Sequence, residues 1–143
     1  GSLRMSALDY RAQEDSRRFA WTRDQATLAV RAQAPLDLDR QTNGDVLLVV
    51  TLRVDALPAS DAWIGLGCGT QCQGRVALGP QLAHLASGQW SRVGVPLKCF
   101  RAAGADMHHI EQPFQLGAGA GSSLAVFRVA LGTDADQVVT CPK

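Results

Sequence analysis

The sequence predicts an all-β domain, an antiparallel β-sandwich or jelly roll with little helix. Three observations lead to this prediction. Apolar residues alternate at period two in several segments, turn-forming residues recur about every ten positions, and four cysteines lie in a glycine-rich chain. Residues 62–100 hold two of the three tryptophans and three of the four cysteines, so we expect the other strands to be added on either side of this segment.

The N-terminal residues contribute least to the alternation. Residues 3–18 are the most polar part of the chain, and we interpret them as a lead-in segment. Glu14 and Arg18 would pair there if the segment formed a helical turn. The chain opens with a Gly-Ser dipeptide, which is typical of a cleaved tag. We therefore expect a tag remnant and lead-in over residues 1–9 and a single domain over residues 10–143.

Five segments have the alternation of a strand that is buried on one side. They are residues 19–33, 46–55, 62–68, 90–97 and 123–131. The second of these segments is apolar on both faces in its first half, so we place it at the centre of a sheet.

The segments between the strands are rich in turn-forming residues. Asn43-Gly44 predicts a hairpin turn before the central strand. Residues 78–85 have room for one helical turn, and residues 101–114 have no periodicity. The glycines at 117, 119 and 121 predict a loop before the last strand.

The charge and hydropathy of the chain exclude several classes of partner. Fourteen basic and thirteen acidic side chains leave a formal net charge of +1, and neither sign forms a long run. Nucleic acids and anionic membranes both require concentrated positive charge, so we expect neither as a partner. No apolar run approaches the roughly 20 residues that cross a bilayer.

The four cysteines form an even set that is compatible with two disulfides, which predicts a periplasmic or secreted protein. Three pairings are possible. We favour Cys68 with Cys72, because glycines flank Cys68 and allow a tight loop, and Cys99 with Cys141, which would hold the C-terminal tail. A zinc site is a poorer interpretation, because a Cys-x3-Cys pair followed by two distant cysteines departs from the usual ligand spacing.

No catalytic motif accompanies the residues that could take part in catalysis. His84, His108 and His109 lack a nucleophile motif such as GxSxG, and the last two are adjacent, so on a strand they would point to opposite faces. Glu14 and Glu111 have no context that indicates a glycosidase pair. We therefore predict that the chain is not an enzyme on its own and has no catalytic residues.

One aromatic residue lies beside a cluster of planar polar groups, which is the combination that a sugar-binding surface needs. Trp21 is followed after one residue by Arg23, Asp24 and Gln25, and these four are our candidate ligand-binding residues. Trp63 and Trp90 lie in apolar strands and are expected in the core.

The chain also resembles a known family. The runs that carry the resemblance are YRAQEDSRRFAW, DLDRQTNGDVLLVVTLRVD, GLGCGTQCQG, WSRVGVPLKCFRAAGADMHHIEQPF and SLAVFRVAL. Over about Tyr10 to Leu131 they resemble the C-terminal domain of bacterial exo-β-glucanases and β-glucosidases of glycoside hydrolase family three. In those enzymes this module has a galactose-binding-like jelly-roll fold and follows two catalytic domains.

The resemblance implies that the chain is the C-terminal module of a longer hydrolase, whose nucleophilic aspartate and acid/base glutamate lie upstream. It implies a non-catalytic accessory domain of a β-glucan-degrading exo-β-glucosidase, which stabilises or orients the catalytic domains. An autonomous carbohydrate-binding module that recognises β-glucan or gluco-oligosaccharides is the alternative. The expected partners are accordingly the upstream catalytic domains and β-glucan oligosaccharides.

The resemblance also bears on cofactors. Several galactose-binding-like domains hold a structural calcium, and Asp37 and Asp39 would be its carboxylate ligands here, together with backbone carbonyls. We expect no other cofactor and no dedicated metal site.

Overall fold

The chain folds into two β-sheets. The computed structural model describes residues 3–10, 14–21, 26–30, 32–56, 62–78, 82, 85, 88–118 and 123–141, with side chains from residue 32 onward except that of residue 56. The elements are β1 (Leu3–Tyr10), β2 (Glu14–Trp21), β3 (Ala26–Val30), α1 (Asp39–Asn43), β4 (Leu47–Ala56), β5 (Trp63–Gly69), β6 (Cys72–Ala77), β7 (Trp90–Pro96), α2 (Leu97–Ala102), β8 (Gln112–Ala118), β9 (Ser123–Gly132) and β10 (Gln137–Val138).

The larger sheet has the strand order β1-β2-β9-β4-β7-β10, and the smaller sheet has the order β3-β8-β5-β6. The two sheets share one hydrophobic core. Leu48, Val50 and Leu52 of β4 alternate into it and meet Ile64 and Leu66 of β5. The prediction of an all-β sandwich is confirmed, and β4 lies between β7 and β9 in the central position that its apolar first half predicted.

The lead-in interpretation of residues 3–18 is wrong, because these residues form β1 and most of β2, an antiparallel pair. Glu14 and Arg18 both lie in β2, so the condition for their pairing, a helical turn, is not met. Among the described strands, β1 pairs with β2 alone in its sheet, and such an edge strand tolerates a polar composition because none of them pairs with its other side.

Two further expectations are corrected. Asn43 ends the short helix α1 and Gly44 caps it, so the dipeptide terminates a helix and does not join two strands. β8 forms where the sequence predicted an irregular segment and a loop at Gly117. Its Phe114 and Leu116 are buried in the core, which compensates for the weak strand propensity of its proline and glycine.

The structure contains both disulfides in the pairing that we favoured. Cys68 is bonded to Cys72 across the tight turn between β5 and β6, where Gly69 has a φ of 123°. Cys99 of α2 is bonded to Cys141 beyond β10. Within the described ranges, no helix combines the length and the apolar character that crossing a membrane requires.

Candidate functional site

The outer face of the smaller sheet has a shallow floor made by glycines of β5. Ile64 and Leu66 point into the core, so Trp63, Gly65 and Gly67 face outward. Gly65 is paired in register with Arg75 of β6 and Gln115 of β8. Because these glycines have no side chains, the side chains of the neighbouring strands lie directly over the β5 backbone.

Two glutamine side chains occupy the space over these glycines. A Cβ at Gly65 would lie 2.9 Å from Oε1 of Gln115, and a Cβ at Gly67 would lie 2.8 Å from Oε1 of Gln112. Any larger residue at either glycine would therefore displace an amide group.

A β-bulge brings the two glutamines to the same face. Residues three apart on a regular strand point to opposite sides of the sheet. Gly65 is paired with Gln115 and Gly67 with Gln112, so three steps along β8 match two steps along β5. The extra residue rotates Gln112 to the side on which Gln115 lies.

These amides line a cleft of about 470 Å³, which we call the amide cleft. It lies between the β5–β6 turn and the start of β8, and Cys72 holds the turn in place through its disulfide. The lining residues are Gly67, Gly69, Thr70, Gln71, Cys72, Gln73, Glu111, Gln112 and Gln115. Among these lining residues there is one acid, no base and no aromatic ring.

Gln115 is the most unusual residue of the amide cleft. Its side chain is only 5% exposed, and its Nε2 donates a hydrogen bond to Oε1 of Gln112. Its own Oε1 is buried and accepts no hydrogen bond from any residue that the structure describes. Leaving a buried amide oxygen unpaired costs about 1–3 kcal/mol, so this atom lowers the free energy of unfolding.

Glu111 lies at one side of the amide cleft, immediately before β8. Its backbone N–H donates to the carbonyl of Gly67 at 2.9 Å, and its Oε2 lies 3.1 Å from Nε2 of His109. The carboxylate is thereby held beside the glutamines as a hydrogen-bond acceptor.

Trp63 borders the same face, but its ring is covered. The guanidinium of Arg75 lies 3.9 Å from the centroid of the indole ring. On the other side the indole packs on Gly117, where a Cβ would come within 2.3 Å of Cε2 and Nε1. Trp63 is consequently 8% exposed, and its ring is not available as a stacking platform.

The sequence-predicted sugar site lies largely outside the described residues. Trp21 ends β2 and is paired in register with Leu3, but its side chain is not among those described. Arg23, Asp24 and Gln25 fall in an undescribed segment, so the site at these four residues stays a prediction.

Asp37 and Asp39 come together with His108, which the sequence did not connect with them. Nδ1 of His108 lies 3.1 Å from Oδ2 of Asp37 and 3.0 Å from Oδ2 of Asp39. The hydrogen bond with Asp39, followed by the charges of Asp37 and Asp39, raises the pKa of His108. His109 contacts Glu111 instead, so the two adjacent histidines have different partners.

This acid–histidine cluster has donor atoms within 4.8 Å of one another. Calcium prefers oxygen ligands, and an imidazole nitrogen between two carboxylates is a poor donor set for it. We derive no calcium chemistry from the cluster. Its contacts join the start of α1 and the residues just before it to the loop after α2.

Comparison with known proteins gives the family. The Exop_C family model, described as "Galactose-binding domain-like", matches residues 1–131. The chain belongs to this family. No curated protein sequence matches it at a significant level.

Two solved structures of one bacterial protein are similar to the chain. The exo-1,3/1,4-β-glucanase ExoP of a Pseudoalteromonas species is 26% identical, with a TM-score of 0.76 over 99% of this chain and 17% of that chain. The extra C-terminal domain X of the same protein is 26% identical, with a TM-score of 0.77 over 99% of this chain and 78% of that one. The chain thus spans about a sixth of the whole ExoP.

A third structure is similar in fold alone. It is the family 30 carbohydrate-binding module of the cellulosomal cellulase Cel9D-Cel44B of Clostridium thermocellum. Its identity to the chain is 10%, with a TM-score of 0.67 over 94% of this chain and 87% of that one.

Sequence reasoning missed the amide cleft. Gln112 lay in the segment that we took to be irregular, and Gln115 lay between that segment and the loop expected at Gly117. The spacing of three between them predicts opposite faces on a strand. The sequence did contain one indication of it. Gly65 and Gly67 are two residues apart, so they leave one face of their strand without side chains at these positions, and a neighbouring group can approach the backbone there.

Proposed function

We propose that the chain is a non-catalytic accessory domain of a β-glucan-degrading exo-β-glucosidase, and that it packs against the catalytic domains and stabilises or orients them. The observation that carries the proposal is the 26% identity, over 99% of this chain, to the extra C-terminal domain of an exo-1,3/1,4-β-glucanase. The two disulfides support a periplasmic or secreted location, because such bonds persist in oxidising compartments.

An apolar cleft offers a contact surface for such a neighbour. It has a volume of about 230 Å³ and opens between β4 and β9 of one sheet and β5 and β8 of the other. At its edge Leu36 is 40% exposed and Leu131 is 43% exposed. We propose that a catalytic domain covers these two leucines in the whole enzyme, because exposed apolar patches are commonly interfaces.

The test uses the isolated chain and a variant of the whole enzyme. The isolated chain should not hydrolyse an aryl β-glucoside, and turnover by it would overturn the proposal. In the whole enzyme, the double variant Leu36→Ser and Leu131→Ser should lower the melting temperature of the catalytic domains. Val138→Ser is the matched control, because Val138 is 48% exposed and does not line the apolar cleft.

A second candidate function is carbohydrate binding, and the amide cleft favours it. Amide and carboxylate groups are the planar polar partners that sugar hydroxyls use, and the amide cleft presents several glutamines and a glutamate beside the unpaired oxygen of Gln115. Calorimetry with laminari- and cello-oligosaccharides tests it. Loss of binding on Trp21→Ala would instead indicate that the sugar binds at the sequence-predicted cluster.

A further inference from the structure

The acid–histidine cluster combines side chains from two segments, residues 36–39 and 106–110, whose backbones are bonded to each other. The N–H of Leu36 donates to the carbonyl of Ile110, and the N–H of Ile110 donates to the carbonyl of Leu36, each at 2.8 Å. The N–H of Leu38 donates to the carbonyl of Met107 at 2.7 Å. The backbone therefore holds the two segments side by side, independently of what their exposed side chains bind.

Further hydrogen bonds orient the side chains of the cluster. The backbone N–H of Asp39 donates to Oδ1 of Asp37 at 3.0 Å, and the other oxygen of that carboxylate, Oδ2, lies against His108. The backbone N–H of His108 donates to Oδ1 of Asp106 at 3.1 Å. In metal sites, contacts of this kind fix the direction of the ligand atoms.

The separations of the donor atoms suit a first-row transition-metal ion. Zinc binds imidazole nitrogen at about 2.0–2.1 Å and carboxylate oxygen at about 2.0–2.2 Å, so two such ligands at neighbouring positions lie about 3.0–3.4 Å apart. Nδ1 of His108 lies 3.1 Å from Oδ2 of Asp37 and 3.0 Å from Oδ2 of Asp39. An ion would therefore need only a small rotation of the carboxylates, once the imidazole has released its Nδ1 proton to solvent.

The surroundings of the cluster supply negative charge and room for water. Asp37 and Asp39 line an open cavity of about 360 Å³ together with Arg40 and Gln41. Among the described residues that line this cavity, Arg40 is the one basic side chain, and Asp106 adds a third carboxylate beside the histidine. The three side chains of the cluster are 51–70% exposed, so water would complete the coordination of the ion.

We propose that the acid–histidine cluster binds one zinc ion, or a similar first-row dication, through His108, Asp37 and Asp39. An imidazole with two carboxylates is a donor set for such a metal, whereas calcium and magnesium take oxygen ligands. Asp39 and His108 are 69 positions apart, so the ion would close a long loop of the unfolded chain and stabilise the fold. It would also fix one edge of the apolar cleft, which Leu36 and Leu38 line.

The experiment is titration of the chelator-treated full chain with zinc, followed by calorimetry and by NMR of the histidine ring protons. We expect one ion per chain, a shift of the His108 signals and much weaker binding of calcium. His108→Gln and Asp39→Asn should each weaken zinc binding at least about tenfold, since even the groups that orient a metal ligand contribute about 10–100-fold to affinity. His109→Gln is the matched control, because His109 contacts Glu111 and not the cluster.

Thermal unfolding gives a second readout. Zinc should raise the melting temperature of the unchanged chain and of His109→Gln, because an ion that binds the folded state alone stabilises it. The same zinc concentration should leave the melting temperature of His108→Gln almost unchanged.

Each outcome decides a different point. Absence of saturable zinc binding at millimolar concentration would overturn the site. Binding that survives in His108→Gln and Asp39→Asn, or that is lost equally in His109→Gln, would overturn its assignment to the cluster. Equal affinity for calcium would overturn the choice of metal, and binding without a rise in melting temperature would overturn the stabilising role. If His108→Gln failed to fold, Asp39→Asn would carry the test, because it keeps the size of the exposed side chain.

Discussion

Replacing Gln115 by methionine tests whether this glutamine serves the fold or a ligand. Gln115 is 5% exposed, its Oε1 has no hydrogen-bond partner among the described residues, and its Nε2 has one partner, Gln112. Methionine is unbranched and of similar length, so it fills the same space without polar atoms that need a partner. If Gln115 contributed to the stability of the fold, this substitution should not raise the free energy of unfolding.

The magnitude follows from two opposing contributions. Removing the unpaired buried oxygen gains about 1–3 kcal/mol, and losing the hydrogen bond to Gln112 costs about 0.5–1.5 kcal/mol. The free energy of unfolding should therefore rise by about 1 kcal/mol. For a domain of 143 residues this corresponds to an increase of about 3 °C in melting temperature.

The assay is thermal and urea unfolding of the disulfide-bonded chain, followed by circular dichroism, alongside the calorimetric titration. We expect stability to rise while oligosaccharide affinity falls, which is the combination that marks a residue kept for binding. Gln137→Met is the control and should change stability by less than about 0.5 kcal/mol. A loss of more than about 1 kcal/mol in Gln115→Met would show that the oxygen is paired in solution, and our reasoning on this residue would then be refuted.

Three further predictions concern the surroundings of the site. Gly117→Ala would place a Cβ 2.3 Å from the Trp63 indole, so we expect about 1–3 kcal/mol of destabilisation and a red-shifted tryptophan emission as the ring is displaced. Removing the Cys99–Cys141 disulfide, which spans 42 positions, should lower stability by about 4 kcal/mol in urea unfolding, since it constrains a long loop of the unfolded chain. The stabilising contact of His108 with its aspartates, measured against His108→Gln, should be fully present below pH 6.5. It should be lost as the pH rises through the pKa of His108, because that pKa is raised in the folded state.

Each of these predictions has a control. Gly132→Ala places its Cβ 3.3 Å from a methyl group of Val49, which can move, so it should have little effect on tryptophan emission. Opening the Cys68–Cys72 disulfide, which spans four positions, should cost about 2 kcal/mol, and an equal cost for both bonds would contradict the loop-length argument. Asp39→Asn should bring the pKa of His108 down in an NMR titration, and an unchanged pKa would show that Asp39 is not its main cause.

The sequence-based predictions succeeded where a local pattern decides the structure. The alternation from Val46 to Val54 predicted the central strand β4, since period-two burial is a property of the strand itself. The glycines flanking Cys68 favoured its bond to Cys72 for a similarly local reason.

They failed where pairing with a distant strand decides the structure. β1 is polar and β8 begins with a Gln-Pro pair, so neither is recognisable as a strand without its neighbour. Hydrogen bonds from β2 hold the first in place, and β3 and β5 hold the second. Intrinsic strand propensity is weak enough for such contacts to override it.

The amino-acid sequence by itself determined the all-β class, the apolar strands of the core and the cysteines that pair. Only the tertiary structure decided the amide cleft, because a bulge between β5 and β8 rotates Gln112 to the same side as Gln115. The same holds for His108, which meets Asp37 from a position 71 residues further along the chain. A burial pattern depends on the residues of one strand and can be read from its sequence. Register shifts and loop contacts depend on how distant segments pair, and the spacing of those segments in the sequence does not predict them.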